Sequence, residues 1–167
     1  MKKVLYICIP VSLACVTASV TKAEDATVTY KSLTLDVALD AARAAIDQCR
    51  TDGFQVAVAV LDRFGQTQVL LRDRYAGLPA ERTATDKAWT AIGFRNDTSA
   101  LAKSIKNGSL DPGLASLPRV TMMAGALKIE MGDTLLGAIG VSGASGGDKD
   151  EKCARVGLDA IRDRLDF

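Results

Sequence analysis

Apolar residues recur at helical spacing early in the chain. Leu35, Ala38, Leu39, Ala42, Ala45, Ile46 and Cys49 fall on one stripe, which predicts an amphipathic helix over Leu35–Arg50. Thr34 supplies its N-cap and Thr51-Asp52-Gly53 its stop. The period then changes. "FQVAVAVLD" (54–62) is a β-branched apolar run that reads as a central strand, "RFGQ" (63–66) as a turn, and "TQVLLRDR" (67–74) as the alternating partner strand of a hairpin. After the loop "YAGLP" (75–79), helical spacing returns from Pro79 to Phe94, with Ala84, Ala88, Ile92 and Trp89 facing inward. "RND" (95–97) breaks this helix, and Thr98 caps a short one that runs to Lys106. A Gly-, Ser- and Pro-rich loop covers 107–119. Residues 120–143 are strand-like in three pieces with a turn at Met131-Gly132-Asp133, and a last helix runs from Asp148 to Arg164. The fold class is α+β, a central antiparallel β-sheet flanked by helices in the order α-β-β-α-α-β-β-β-α.

The first residues follow a different logic. Met1-Lys2-Lys3 is basic, Val4–Val16 is apolar, and small residues follow, with Ala18 and Ala23 each suited to cleavage. This pattern predicts a signal peptide over residues 1–23 and a periplasmic or secreted protein. Cys15 in "SLAC" leaves lipoprotein anchoring open. Behind the leader come a polar, frayed lead-in (24–32) and one domain (33–167). Loss of Lys2, Lys3 and Lys22 takes the 21 basic residues to 18 against 20 acidic ones. A net charge near −2 gives no electrostatic case for nucleic acid, or for a membrane surface after cleavage.

No histidine occurs anywhere in the chain. That excludes a Ser-His-Asp or Cys-His triad, an imidazole-based zinc site and a histidine-ligated haem. Beyond residue 23 two cysteines remain, Cys49 and Cys153. Cys49 ends the first predicted helix and Cys153 begins the last, both on apolar stripes. Antiparallel packing of those helices on one sheet face makes the two neighbours and predicts a disulfide in an exported protein. No Cys-x-x-Cys spacing indicates redox catalysis.

Four blocks carry a resemblance: "LTLDVALDAARAAI", "VAVAVLDRFGQTQVLLRDRYAG", "ATDKAWTAIGFRNDT" and "LLGAIGVSGASGGDKDEKCARVGLDAI". In this order, over roughly residues 33–165, the chain resembles the GlcG/HbpS family of haem-binding-type domains, which also form the C-terminal domain of PduO-type cobalamin adenosyltransferases. The resemblance implies an antiparallel α+β fold, assembly into homo-oligomers and, for some members, haem as the cofactor. Where members carry a "GGxP" turn, this chain has Ala124 at the first Gly.

The candidate chemistry lies between Arg72 and Thr98. Arg72, Arg74, Arg82, Lys87 and Arg95 are cations suited to grip carboxylates, either haem propionates or a small organic acid. Tyr75, Trp89 and Phe94 offer flat apolar walls, and Asp86 with Lys87 could pair across protomers. With imidazole absent, the available iron ligands are Tyr75, Met122, Met123, Lys87 or the hydroxyl of Thr98, with water equally open. Met122 and Met123 are adjacent on a predicted strand and so face opposite sides. Asp62 at the hairpin corner is expected to bond turn amides. No carboxylate pair is placed for acid–base work, so the reading leans towards a binding protein and away from an enzyme: a haem binder, or a module for a small carboxylate metabolite. The glycine-rich stretch 140–147 reads as a strand-to-helix turn. Asp148, Asp150 and Glu151 already place negative charge at that helix start, which disfavours an anion.

Overall fold

The computed structural model of the chain describes residues 26–165; the predicted signal peptide, its cleavage site and Cys15 lie outside them. Four helices, α1 (Leu35–Thr51), α2 (Ala80–Phe94), α3 (Thr98–Lys106) and α4 (Gly147–Asp159), combine with four strands, β1 (Ala57–Asp62), β2 (Thr67–Arg72), β3 (Ala126–Met131) and β4 (Thr134–Ser142). The strands form one sheet in the order β2-β1-β4-β3, antiparallel at every step. The antiparallel α+β class read from the sequence is the class found.

β1 is apolar from Ala57 to Leu61 because both faces of the sheet are covered. Val56, Val58 and Val60 point to one side, into a core shared with α1 and α4. Ala57, Ala59 and Leu61 point to the other, against α2. The α2 side is built from small residues: Ala80, Ala84, Ala88 and Ala91 of the helix meet Ala57, Ala59, Ala126 and Ala138 of the sheet. Gly140 of β4 completes that surface. A Cβ there would stand 2.2 Å from the Ala84 carbonyl oxygen and 2.9 Å from the Ala88 nitrogen, so the helix backbone rests directly on the strand. Gly140→Ala is therefore expected to push α2 outward and to cost about 1–3 kcal/mol, read as a lower urea midpoint with an unchanged m-value.

On the opposite face α1 and α4 cross closely. Gly157 lies against the Ala41 carbonyl, where a Cβ would come within 2.6 Å, and Cys49 is bonded to Cys153 with Cα atoms 5.5 Å apart. The disulfide read from the two apolar stripes is present. An exposed pair, Lys152 with Asp52 at 2.8 Å, lies beside it. The bonds from Lys152 and then Gln48 hold the Asp52 carboxyl below its usual range.

Three local expectations change. The first of the three strand-like pieces, 120–125, is not a strand, so Met122 and Met123 do not alternate across a sheet. Arg119 adopts a left-handed φ of 67°, and the Thr121 amide donates to Thr90 Oγ1 at 2.9 Å, so this segment follows the flank of α2 before entering β3. The last helix stops at Asp159, short of Arg164; Ile161 turns into the core, and a 3-10 turn, Arg162–Arg164, follows. The lead-in is anchored where fraying was expected: the Tyr30 ring meets Phe64 edge-on at 5.3 Å, and Gln68 Nε2 donates to the Leu33 carbonyl.

α3 begins at Thr98, with Asp97 at the cap position, and both side chains turn to the sheet. Thr98 Oγ1 accepts from the Ala126 amide at 2.9 Å and donates to the Ala126 carbonyl. Asp97 Oδ1 accepts from the Lys128 amide at 2.9 Å. Among the described residues no helix is long and apolar enough to cross a membrane.

Candidate functional site

The loop from Asp73 to Pro79 joins β2 to α2 and separates two surfaces. Asp73 is its anchor. The side chain is buried and accepts from Arg50 Nε at 2.9 Å and Nη2 at 2.6 Å, while its other oxygen takes the Val56 amide. The Asp73 hydrogen bond leads the effects that raise the Arg50 pKa above its ordinary value, so this guanidinium stays charged. Around the anchor, Arg72 Nη2 donates to the Ala76 carbonyl at 3.0 Å. Arg74 lies 4.9 Å over the ring of Tyr75, which is 74% exposed. Arg72, Arg74 and Tyr75, neighbours in sequence, stay neighbours in space.

The second surface is the outer flank of α2. Asp86 is buried and receives two guanidiniums, Arg82 Nε at 3.3 Å and Arg119 Nε at 3.1 Å. Arg119 also covers the Trp89 ring at 4.8 Å, while Gly65 of the β1–β2 turn packs against the edge of that ring. Leu78, 94% exposed, completes a groove of about 390 Å³ with Glu81, Arg82, Thr85, Asp86 and Arg119. Its size lies within the range of small-molecule sites. An exposed apolar side chain and two guanidiniums oriented by one buried carboxylate suit an anion with an apolar body.

The remaining predicted residues do not join these surfaces. Lys87 is buried, donating to Asp150 Oδ2 at 2.7 Å and to the Val141 carbonyl at 3.0 Å, so its ammonium is spent inside the fold and does not line a surface. Thr98 is equally engaged at the sheet edge. Phe94 is half-buried and Arg95 exposed at the far end of α2, about 20 Å along the helix from Arg82. Met122 is half-buried, and Met123 is 53% exposed on the segment beside α2. Asp62 bonds the Phe64 and Gln66 amides, as its corner position predicted. The glycine-rich turn is closed by its own helix: Asp150 Oδ1 accepts from the Ala144 amide at 3.0 Å. Sequence reasoning missed Arg50, Asp73 and Arg119, which have partners distant in the chain, and Arg43, which lies on α1 beside Leu71 and Arg72 of β2. Among the described residues no group of three or more His, Cys, Asp or Glu side chains is placed to hold a metal ion.

Comparison with known proteins agrees with this architecture. The family described as "Haem degrading protein HbpS-like" matches residues 33–159. The chain belongs to the HbpS-like family. Among solved structures, a double mutant of HbpS from Streptomyces reticuli is 36% identical, covering 87% of this chain and 97% of that one with a TM-score of 0.77. A PduOC:haem complex is 27% identical, covering 78% and 96% of the two chains with a TM-score of 0.74. The corrinoid adenosyltransferase PduO of Salmonella typhimurium is 29% identical over 121 residues, which is 71% of this chain and 36% of that protein. The HbpS-like chain thus spans about a third of the curated relatives it matches, with 37% in the Citrobacter freundii PduO.

Proposed function

We propose that this protein is an exported haem-binding protein that works as a homo-oligomer. The observation that carries the reading is family membership across nearly the whole described domain, with one similar structure solved as a haem complex. The groove on the outer flank of α2 supplies matching chemistry. Leu78 suits a tetrapyrrole face, and Arg82 and Arg119 have further donors for propionates beyond those given to Asp86. The chain has no imidazole to ligate iron, and Lys87 is held by Asp150; Met123, exposed on the segment beside α2, is the candidate ligand on this side of the loop. Basic Lys2-Lys3 followed by an apolar run supports export.

Titration of the purified protein with hemin tests the reading. Saturable binding with a shifted Soret band is expected. The Arg82→Ala, Arg119→Ala pair is expected to weaken it by about tenfold or more, the loss of two charge-assisted contacts. Absence of a saturable Soret change rejects haem as the ligand.

A further inference from the structure

The surface on the other side of the Asp73–Pro79 loop carries an excess of positive charge that haem binding at α2 does not use. Two adjoining hollows of about 340 and 420 Å³ share Arg50 and Arg72 in their walls. Arg43 and Asp47 complete the polar rim of the first, with Ile46 and Leu71 as its apolar floor. Arg74, Tyr75, Gln55 and Asp73 complete the second. Both carboxylates are engaged by one residue, since Arg50 bonds Asp47 at 2.8 Å and Asp73 at 2.6 Å. Among the described residues Arg43 has no carboxylate partner, Arg72 gives one donor to a backbone carbonyl, and Arg74 rests on the Tyr75 ring. Four guanidiniums against two carboxylates leave two positive charges uncompensated.

We propose that this groove binds a small dicarboxylate, one carboxylate in each hollow. Each seat has two guanidiniums free of carboxylates: Arg43 and Arg72 in the first, Arg72 and Arg74 in the second. The planar guanidinium fork matches a carboxylate, and a ligand charge of two equals the local excess. Leu71 and Ile46 give the hydrocarbon linker an apolar surface. Arg50, fixed by Asp73 and Asp47, orders the wall between the seats, which lowers the cost of organising the site on binding. The assignment does not depend on haem binding, so the two readings stand or fall separately.

Calorimetric titration of haem-free protein at low ionic strength, with malonate, succinate, glutarate, acetate and inorganic phosphate as probes, tests this. One dicarboxylate is expected to bind saturably at one per chain, with acetate and phosphate at least about tenfold weaker. Arg43→Gln and Arg72→Gln are each expected to weaken that binding about tenfold with an unchanged circular dichroism spectrum. Lys106→Ala, which removes the same charge from α3, is expected to leave it unchanged. The assignment is overturned if no dicarboxylate saturates, if phosphate binds as tightly, or if both arginine variants bind like the parent. Among the described residues Arg43 makes no ion pair or hydrogen bond, so its variant tests the site without a folding defect.

Discussion

Removing the bridge between Cys49 and Cys153, by reduction or as the Cys49→Ala, Cys153→Ala pair, is expected to lower the unfolding free energy by about 4–5 kcal/mol. The bond joins residues 104 apart in sequence, and chain-entropy arguments give about 4.7 kcal/mol for a loop near 100 residues. Domains of this size have about 5–15 kcal/mol in total, so the reduced protein is expected to unfold at much lower urea. Both cysteines are fully buried, so reductant is expected to act slowly on the folded protein and quickly once it opens. Urea unfolding curves with and without reductant, with thiols counted in native and denatured protein, measure both effects. A reduced form with an unchanged midpoint would contradict the staple.

Breaking the Lys87–Asp150 pair is expected to cost nearly as much. The side chains are 3% and 5% exposed. Lys87→Met leaves the Asp150 carboxylate inside without its cation, and stranded buried charges of this kind cost about 3–5 kcal/mol. Lys87→Met combined with Asp150→Asn removes both charges, while the Asn carbonyl can still receive the Ala144 amide. The double variant is therefore expected to recover a large part of the loss, a coupling that a double-mutant cycle in urea measures directly. The same pair ties α2 to the start of α4, so amide exchange at 143–147 is expected to rise in Lys87→Met before global unfolding. Additive losses in the cycle would show that the two charges act independently.

These cases also show which features were readable along the chain. The helix stripe from Ala38 to Cys49, the apolar run of β1 and the alanines of α2 report burial through period alone, because each lies on a face that one neighbouring layer covers. Arg72, Arg74 and Tyr75 were readable as a cluster because they lie within four consecutive residues. Lys87 and Thr98 were misleading for the opposite reason. A lysine on a helix ordinarily snorkels to water, and only a partner 63 residues later makes it a buried charge. A threonine just after a helix break ordinarily caps the next helix, but this one is the first residue of α3 and bonds a strand 28 residues away. Arg119 had no local signal, since its partners Asp86 and Trp89 approach only after 107–124 folds back along α2. Tertiary closure decides all three.

The engagement of Asp97 and Thr98 by β3 has a consequence for how copies of this chain can associate. An incoming strand needs the outward amides of an edge, and those of Ala126 and Lys128 are already taken by side chains. Lys128 and Glu130 add paired charges along the same border, a common guard against edge-to-edge pairing. Extension of the sheet through β3 is blocked, which leaves helix faces, loops or the β2 side for any contact between copies. Growth of the sheet through this edge into an open-ended ribbon is prevented by one hydroxyl and one carboxylate at the start of a nine-residue helix.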